Sequence, residues 1–187
     1  MSRRFPQLTL DQLNEQQKPL GDQVMKVSSV GIGGPYNLLL RSPVLGQRLF
    51  DLFDYLRWKT SVETRLNEFA ILIVGRQWRS QVEWAAHAPL ALKAGLAPAI
   101  VADLKANKRP ANMPPEEAVV YDFVTELTTK HAVSDETYDR AKRLLGEQQA
   151  VDLTAVAGGY VTIAMILAMS EMTVPPGREE PFKPGEP

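Results

Sequence analysis

Residues 61–95 read SVETRLNEFAILIVGRQWRSQVEWAAHAPLALKAG, and the spacing of apolar residues within them decides the fold class. Leu66, Phe69, Ala70, Ile73 and Val74 recur at intervals of three and four, the period of a helix with a buried face, which predicts a helix from about Ser61 to Arg76. Gly75 and the polar Arg76-Gln77-Trp78-Arg79 read as its end and a short connection. Ser80-Gln81-Val82-Glu83 has the form of a capping box, a hydroxyl and a carboxylate that satisfy each other's backbone amides in a first helical turn. It predicts a second helix to about Lys93, stopped at Gly95. So short a connection folds the two helices back on each other as a hairpin.

The same period recurs outward from this hairpin to both ends, while strict apolar/polar alternation with β-branched residues is almost absent, so the class is all-α. Thr9 and Gln12 form a capping-box pattern for a helix to about Ser28, with Pro19 as a break or kink. Gly31 to Pro35 is a loop. Ser42-Pro43 sets a cap before a first-turn proline and opens a helix whose inward face is Leu45, Leu49, Leu52, Phe53 and Leu56. Beyond the hairpin, a short helix from Pro98 to about Lys108 precedes a proline-punctuated loop from Arg109 to Pro115. Two more helices follow, Pro115 to Lys130 and Ser134 to Leu145. The last helix, about Glu147 to Met172, is nearly apolar on all sides from Ala155 to Met169, so it needs cover on all sides, from its own core or from another subunit. Gly158-Gly159 inside it points to close backbone packing. The proline- and glycine-rich tail from Thr173 forms no element of its own and is expected to wrap a neighbour or stay disordered.

Composition bounds the function. The 187 residues, 44% of them hydrophobic, suffice for one domain with an extension. Twenty-one Lys and Arg against 22 Asp and Glu leave a net charge of −1, which gives no electrostatic case for nucleic acid or an anionic membrane as partner. The chain has no cysteine, which excludes disulfides, thiolate nucleophiles and Cys-based metal sites. The longest apolar run, Val161 to Met169, is short of a bilayer span. The basic start, Met1-Ser2-Arg3-Arg4-Phe5-Pro6, is followed by a polar stretch from Leu8 to Lys18 rather than the apolar run of a signal peptide, so the expected location is cytoplasmic.

The chemistry gathers on the hairpin. His87, one of two histidines, lies one turn after Glu83 on the same helical face. Glu68, nineteen residues before it, is on the inward face of the preceding helix, where a tight hairpin would bring it opposite. Two carboxylates and an imidazole at one pocket suit general acid/base catalysis, one carboxylate fixing the imidazole tautomer and the other raising its basicity or binding a proton. Plainer roles compete: Glu83 as a capping-box residue, Glu68 paired with Arg65 or Arg76, Trp84 in the core rather than walling a pocket. Further metal ligands are not evident, and neither metal nor organic cofactor is expected.

At these residues the chain resembles the carboxymuconolactone decarboxylase family, which also contains the AhpD-like alkylhydroperoxidases. The resemblance rests on Asn67-Glu68-Phe69-Ala70-Ile71-Leu72, Gln81-Val82-Glu83-Trp84-Ala85-Ala86-His87 and Lys93-Ala94-Gly95-Leu96, with Gly34-Pro35-Tyr36-Asn37, Arg41-Ser42-Pro43 and Gly159-Tyr160 in support. It implies an orthogonal AhpD-like multi-helix domain around a central helical hairpin. It covers residues 33–172, leaving 1–32 as an N-terminal helical extension and 173–187 as a tail. The peroxidase branch carries a Cys-x-x-Cys pair where this chain has Ser80 and Glu83, so its redox mechanism does not transfer.

The resemblance instead implies cofactor-free decarboxylation of a small carboxylated lactone or related aromatic-catabolism product. His87 would donate the proton, Glu83 would orient it and Glu68 would tune it. Arg76 or Arg79 would bind a substrate carboxylate, with Trp84 and Tyr36 at the substrate. It also implies a homo-oligomer, trimer or hexamer. Lactone hydrolysis, isomerisation or dehydration on the same residues, or a non-catalytic helical oligomer, are the alternatives.

Overall fold

The computed structural model describes residues 2–28, 30–175, 177 and 179–183. They form a single 3-10 turn, Leu10–Gln12, and helices α1 (Lys18–Val27), α2 (Pro35–Leu39), α3 (Pro43–Trp58), α4 (Thr64–Gln77), α5 (Gln81–Lys93), α6 (Pro98–Lys105), α7 (Pro115–Thr129), α8 (Asp135–Leu144) and α9 (Gly146–Met169). No strand occurs among the described residues. An isolated antiparallel bridge joins Ser2 to Met172.

The α4–α5 hairpin stands at the centre, α4 packing most extensively against α5, α7 and α9. Every residue of α4 from Leu66 to Arg76 is buried, so the helix read as one-sided is enclosed all round. Arg79 turns the corner with φ 48°, and Gly95 ends α5 at φ 100°, a conformation that favours glycine.

The N-terminal region departs from expectation. The Thr9–Gln12 pair closes only the one 3-10 turn, with the Thr9 amide donating to the Gln12 side chain at 3.0 Å. The α-helix begins afresh at Lys18. Pro19 lies in its first turn, where a missing N–H costs nothing, so it starts the helix rather than breaking it. Helix α2 follows the glycine loop unannounced. Leu13, Leu20 and Val24 pack with Ile32, Leu39 and Leu40 into a core of their own, which seats the extension on α2.

Helix α3 is turned part-way from its predicted orientation: Leu56 is buried and Leu49 and Phe53 pack on the core as expected, but Leu45 and Leu52 are 53% and 42% exposed and Gly46 is buried instead. The cause is Gly46, set so close to α2 that a Cβ there would come within 2.5 Å of the Leu39 carbonyl oxygen. The two glycines of α9 also part company. A Cβ on Gly159 would meet Leu56 and Phe53 of α3 at 2.9 and 3.3 Å, whereas Gly158 faces open space.

Helix α9 buries a stripe comprising Ala150, Leu153, Val156, Ala157, Tyr160, Ile163, Ala164 and Leu167. Contrary to the reading from its longest apolar run, the whole 24-residue helix is long and apolar enough to cross a membrane, with half of the qualifying stretch buried in the fold. The described part of the tail folds back on its own chain: Phe182 is buried against Trp84, and its backbone exchanges hydrogen bonds of 2.6 and 2.9 Å with the Gln81 amide.

Candidate active site

The hairpin brings Glu68 to His87. The Glu68 carboxylate lies 2.7 Å from His87 Nδ1, both side chains buried, so the carboxylate holds Nδ1–H and leaves Nε2 as the other ring nitrogen. Arg65 is paired with Glu117. Tyr160 of α9 meets the imidazole edge to face, the ring centroids 5.0 Å apart, which fixes the plane of the ring.

Glu83 behaves differently from its expected roles. The Ser80 side chain makes no cap hydrogen bond, so the capping box read from Ser80 to Glu83 does not form. Nor does Glu83 orient His87. Its two carboxylate oxygens and the Ser80 hydroxyl are buried without a geometrically sound hydrogen-bond partner among the described residues. Burial pushes the Glu83 carboxyl up to about 8, the proximity of the Ser80 hydroxyl offsetting only part of the rise. At neutral pH it is therefore mostly the protonated acid.

Glu83 and His87 open onto a cavity of about 190 Å³ between α2, α3, α5 and α9. Its walls are mainly apolar, with Phe50 and Phe53 from α3, Val82 and Ala86 from α5, and Ile163 and Leu167 from α9. Tyr36 lines it as expected, and Tyr160 completes it. Burial raises the pKa of both phenols, so both stay protonated donors. Glu68 stands behind His87 rather than in the cavity wall.

The other residues expected at the substrate do not line this cavity. Arg76 is buried, donating from Nε to the Lys105 carbonyl at 2.9 Å and stacking over Phe182. Arg79 donates to the Lys183 carbonyl at 2.8 Å. Both hold the tail rather than the cavity. Trp84 faces the same way, edge-on to Phe182, and does not wall the pocket. The cation that lines the cavity is Arg57, at the end of α3, which sequence reasoning missed. Its position at the far end of a helix thirty residues from His87 carried no local signal. Among the described residues, no three carboxylate or imidazole side chains gather as a ligand set for a metal ion.

Asn37 and Arg41, in the upstream part of the resemblance, act structurally. Asn37 accepts from the Leu8 amide at 2.9 Å, and Arg41 donates to Asn37 and to the Pro6 carbonyl, pinning the extension to α2.

No family model matches the sequence, and no curated protein does. Among solved structures, the chain is similar to the crystal structure of an alkylhydroperoxidase AhpD core, an uncharacterized peroxidase-related protein from Ralstonia eutropha JMP134. The TM-score is 0.77, at 15% identity, covering 92% of each chain. This likeness is one of fold: the chain has the all-α AhpD-like architecture.

Proposed function

We propose that the protein is a cofactor-free acid/base enzyme that decarboxylates a small carboxylated lactone or a related product of aromatic ring cleavage. The observation that carries the reading is an imidazole anchored at Nδ1 by a buried carboxylate, opening beside a protonated Glu83 onto a small, mostly apolar cavity. Loss of CO2 leaves the electron pair of the broken C–C bond on the ring as a dienolate, which must take up one proton at carbon. Glu83 supplies that proton, being the acid still protonated at neutral pH. Glu68, holding Nδ1–H, leaves Nε2 of His87 as the ring's lone-pair acceptor, and solvent restores the proton to Glu83 after each turnover. Tyr36 and Tyr160 are placed to donate hydrogen bonds to the developing oxyanion. The Cys-dependent chemistry of thiol peroxidases has no counterpart here, since Ser80 and Glu83 stand at the relevant positions.

The test is CO2 release from a panel of carboxylated lactones. Wild type should turn over at least one. Glu83→Gln, which keeps shape and loses the proton, should lower kcat by about a hundredfold or more, as loss of a general acid does. The wild-type rate should fall as pH rises through the Glu83 value of about 8. Hydrolysis or isomerisation of the lactones without CO2 would move the same residues to the alternative reaction class. A panel left wholly unchanged would favour a non-catalytic helical module.

A further inference from the structure

We infer that Arg57 is the anion anchor of this cavity, and that the molecule received there is a small organic carboxylate with its apolar body against Phe50, Phe53 and Ile163. The inference rests on the cavity being the substrate site.

Arg57 comes from the last turn of α3, whereas Glu83 and His87 come from α5. Its guanidinium carbon lies 4.5 Å from the centroid of the Trp58 ring, which supports one face of the planar group. Nε is buried without a hydrogen-bond partner, and Arg57 enters no ion pair among the described residues. Its charge nonetheless reaches into the cavity, opposing the rise that burial imposes on Tyr36 and Tyr160.

Two other acidic side chains line the same space. Asp54 is paired with Lys59, and Glu83 holds its proton at neutral pH. The cavity therefore contains a cation that no carboxylate of its lining pairs with. A partly buried guanidinium without an anion is unfavourable, and a planar two-pronged donor matches a carboxylate in a bidentate pair. A carboxylate gripped in that way is stabilised as the anion, so it is not the group that leaves. It is a handle that sets the reacting carbon against Glu83 and His87.

Calorimetric titration with benzoate and with benzamide, its neutral isostere, tests this on the full chain. Benzoate should bind wild type and benzamide should not. Arg57→Gln should weaken benzoate by about tenfold or more, the usual scale for a lost charge-assisted pair, with Arg57→Lys between the two. Absence of benzoate binding, equal binding of benzamide, or an Arg57→Gln protein that binds benzoate like wild type would each overturn the anchor. If Arg57→Gln does not fold, Arg57→Lys and the benzoate/benzamide contrast decide. Benzoate binding that depends on Arg57 in a protein releasing no CO2 from any lactone would keep the anchor and sink the decarboxylation. Lactone turnover untouched by Arg57→Gln would do the reverse.

Discussion

A buried carboxyl group without a good hydrogen-bond donor keeps its proton well past the ordinary range, and Glu83 is so placed. The linkage has a definite sign. Unfolded, Glu83 ionises near the ordinary glutamate value of 4.5; folded, at about 8. Between those values the folded state holds a proton the unfolded state has lost, so stability falls as pH rises across that window. Glu83→Gln removes the effect. It should raise the melting temperature, by more at pH about 8.5 than at about 5.5, the difference amounting to a few kcal/mol. His87→Ala should do the opposite. It strands the buried Glu68 carboxylate, a loss on the order of 3–5 kcal/mol. Denaturant unfolding of both variants at both pH values checks the pair, and a Glu83→Gln protein less stable than wild type at high pH would contradict the burial argument. The meeting of Glu68 with His87 was legible from their spacing on a short hairpin. The state of Glu83 was not, because Ser-x-x-Glu satisfies the capping pattern in letters while the Ser80 side chain makes no cap hydrogen bond.

At the level of elements, periodicity located the hairpin, α3 and the helices from α6 to α9 within a few residues, because each spends an apolar face on one core. It gave helix existence better than helix rotation. Leu45 and Leu52 of α3 looked inward by spacing, but the close approach of Gly46 to α2 turns the helix away from them. Such an approach depends on which element lies opposite, and nothing local encodes that. Helix α2 was hidden for a related reason: at five residues it is too short to show a period. The adjacent glycines of α9 make a direct comparison. Gly159→Leu forces a side chain into Leu56 and Phe53 and should cost about 2–3 kcal/mol by overpacking. Gly158→Ala, in open space, should gain about 0.5–1 kcal/mol from helix propensity alone. Thermal unfolding of the two variants measures both, and equal effects would mean that α3 does not press on α9 at this point.

Across the whole molecule, periodicity gave the all-α class, the lack of cysteine excluded thiol chemistry, and the hairpin motif led to the fold. What escaped was the destination of cations and of the tail. Arg76 and Arg79 lie beside Glu83 and His87 in sequence, yet meet Phe182 and Lys183 a hundred residues later. The site's own cation, Arg57, arrives from a separate helix. We also propose that the protein is a homo-oligomer: Val44, Leu45, Leu52, Tyr55 and Trp58 leave α3 with exposed apolar surface, and Val151, Met165 and Met169 do the same on α9. Light scattering at micromolar concentration should give a multiple of the 20.8 kDa chain mass, and a monomer would dismiss the proposal. The contact of residues 2–4 with the end of α9 bears on how the cavity is assembled. Ser2 bridges Met172, and Arg3 and Arg4 bind Glu171 and the Met169 carbonyl, so residues 2–4 have their seat at the end of α9. During synthesis the extension emerges before that docking surface, and the wall of the cavity supplied by α9 is missing until α9 has been made. The cavity is therefore incomplete until α9 folds onto the hairpin, and a chain that stalls before α9 is complete exposes the apolar faces of α3 and α4 to chaperones.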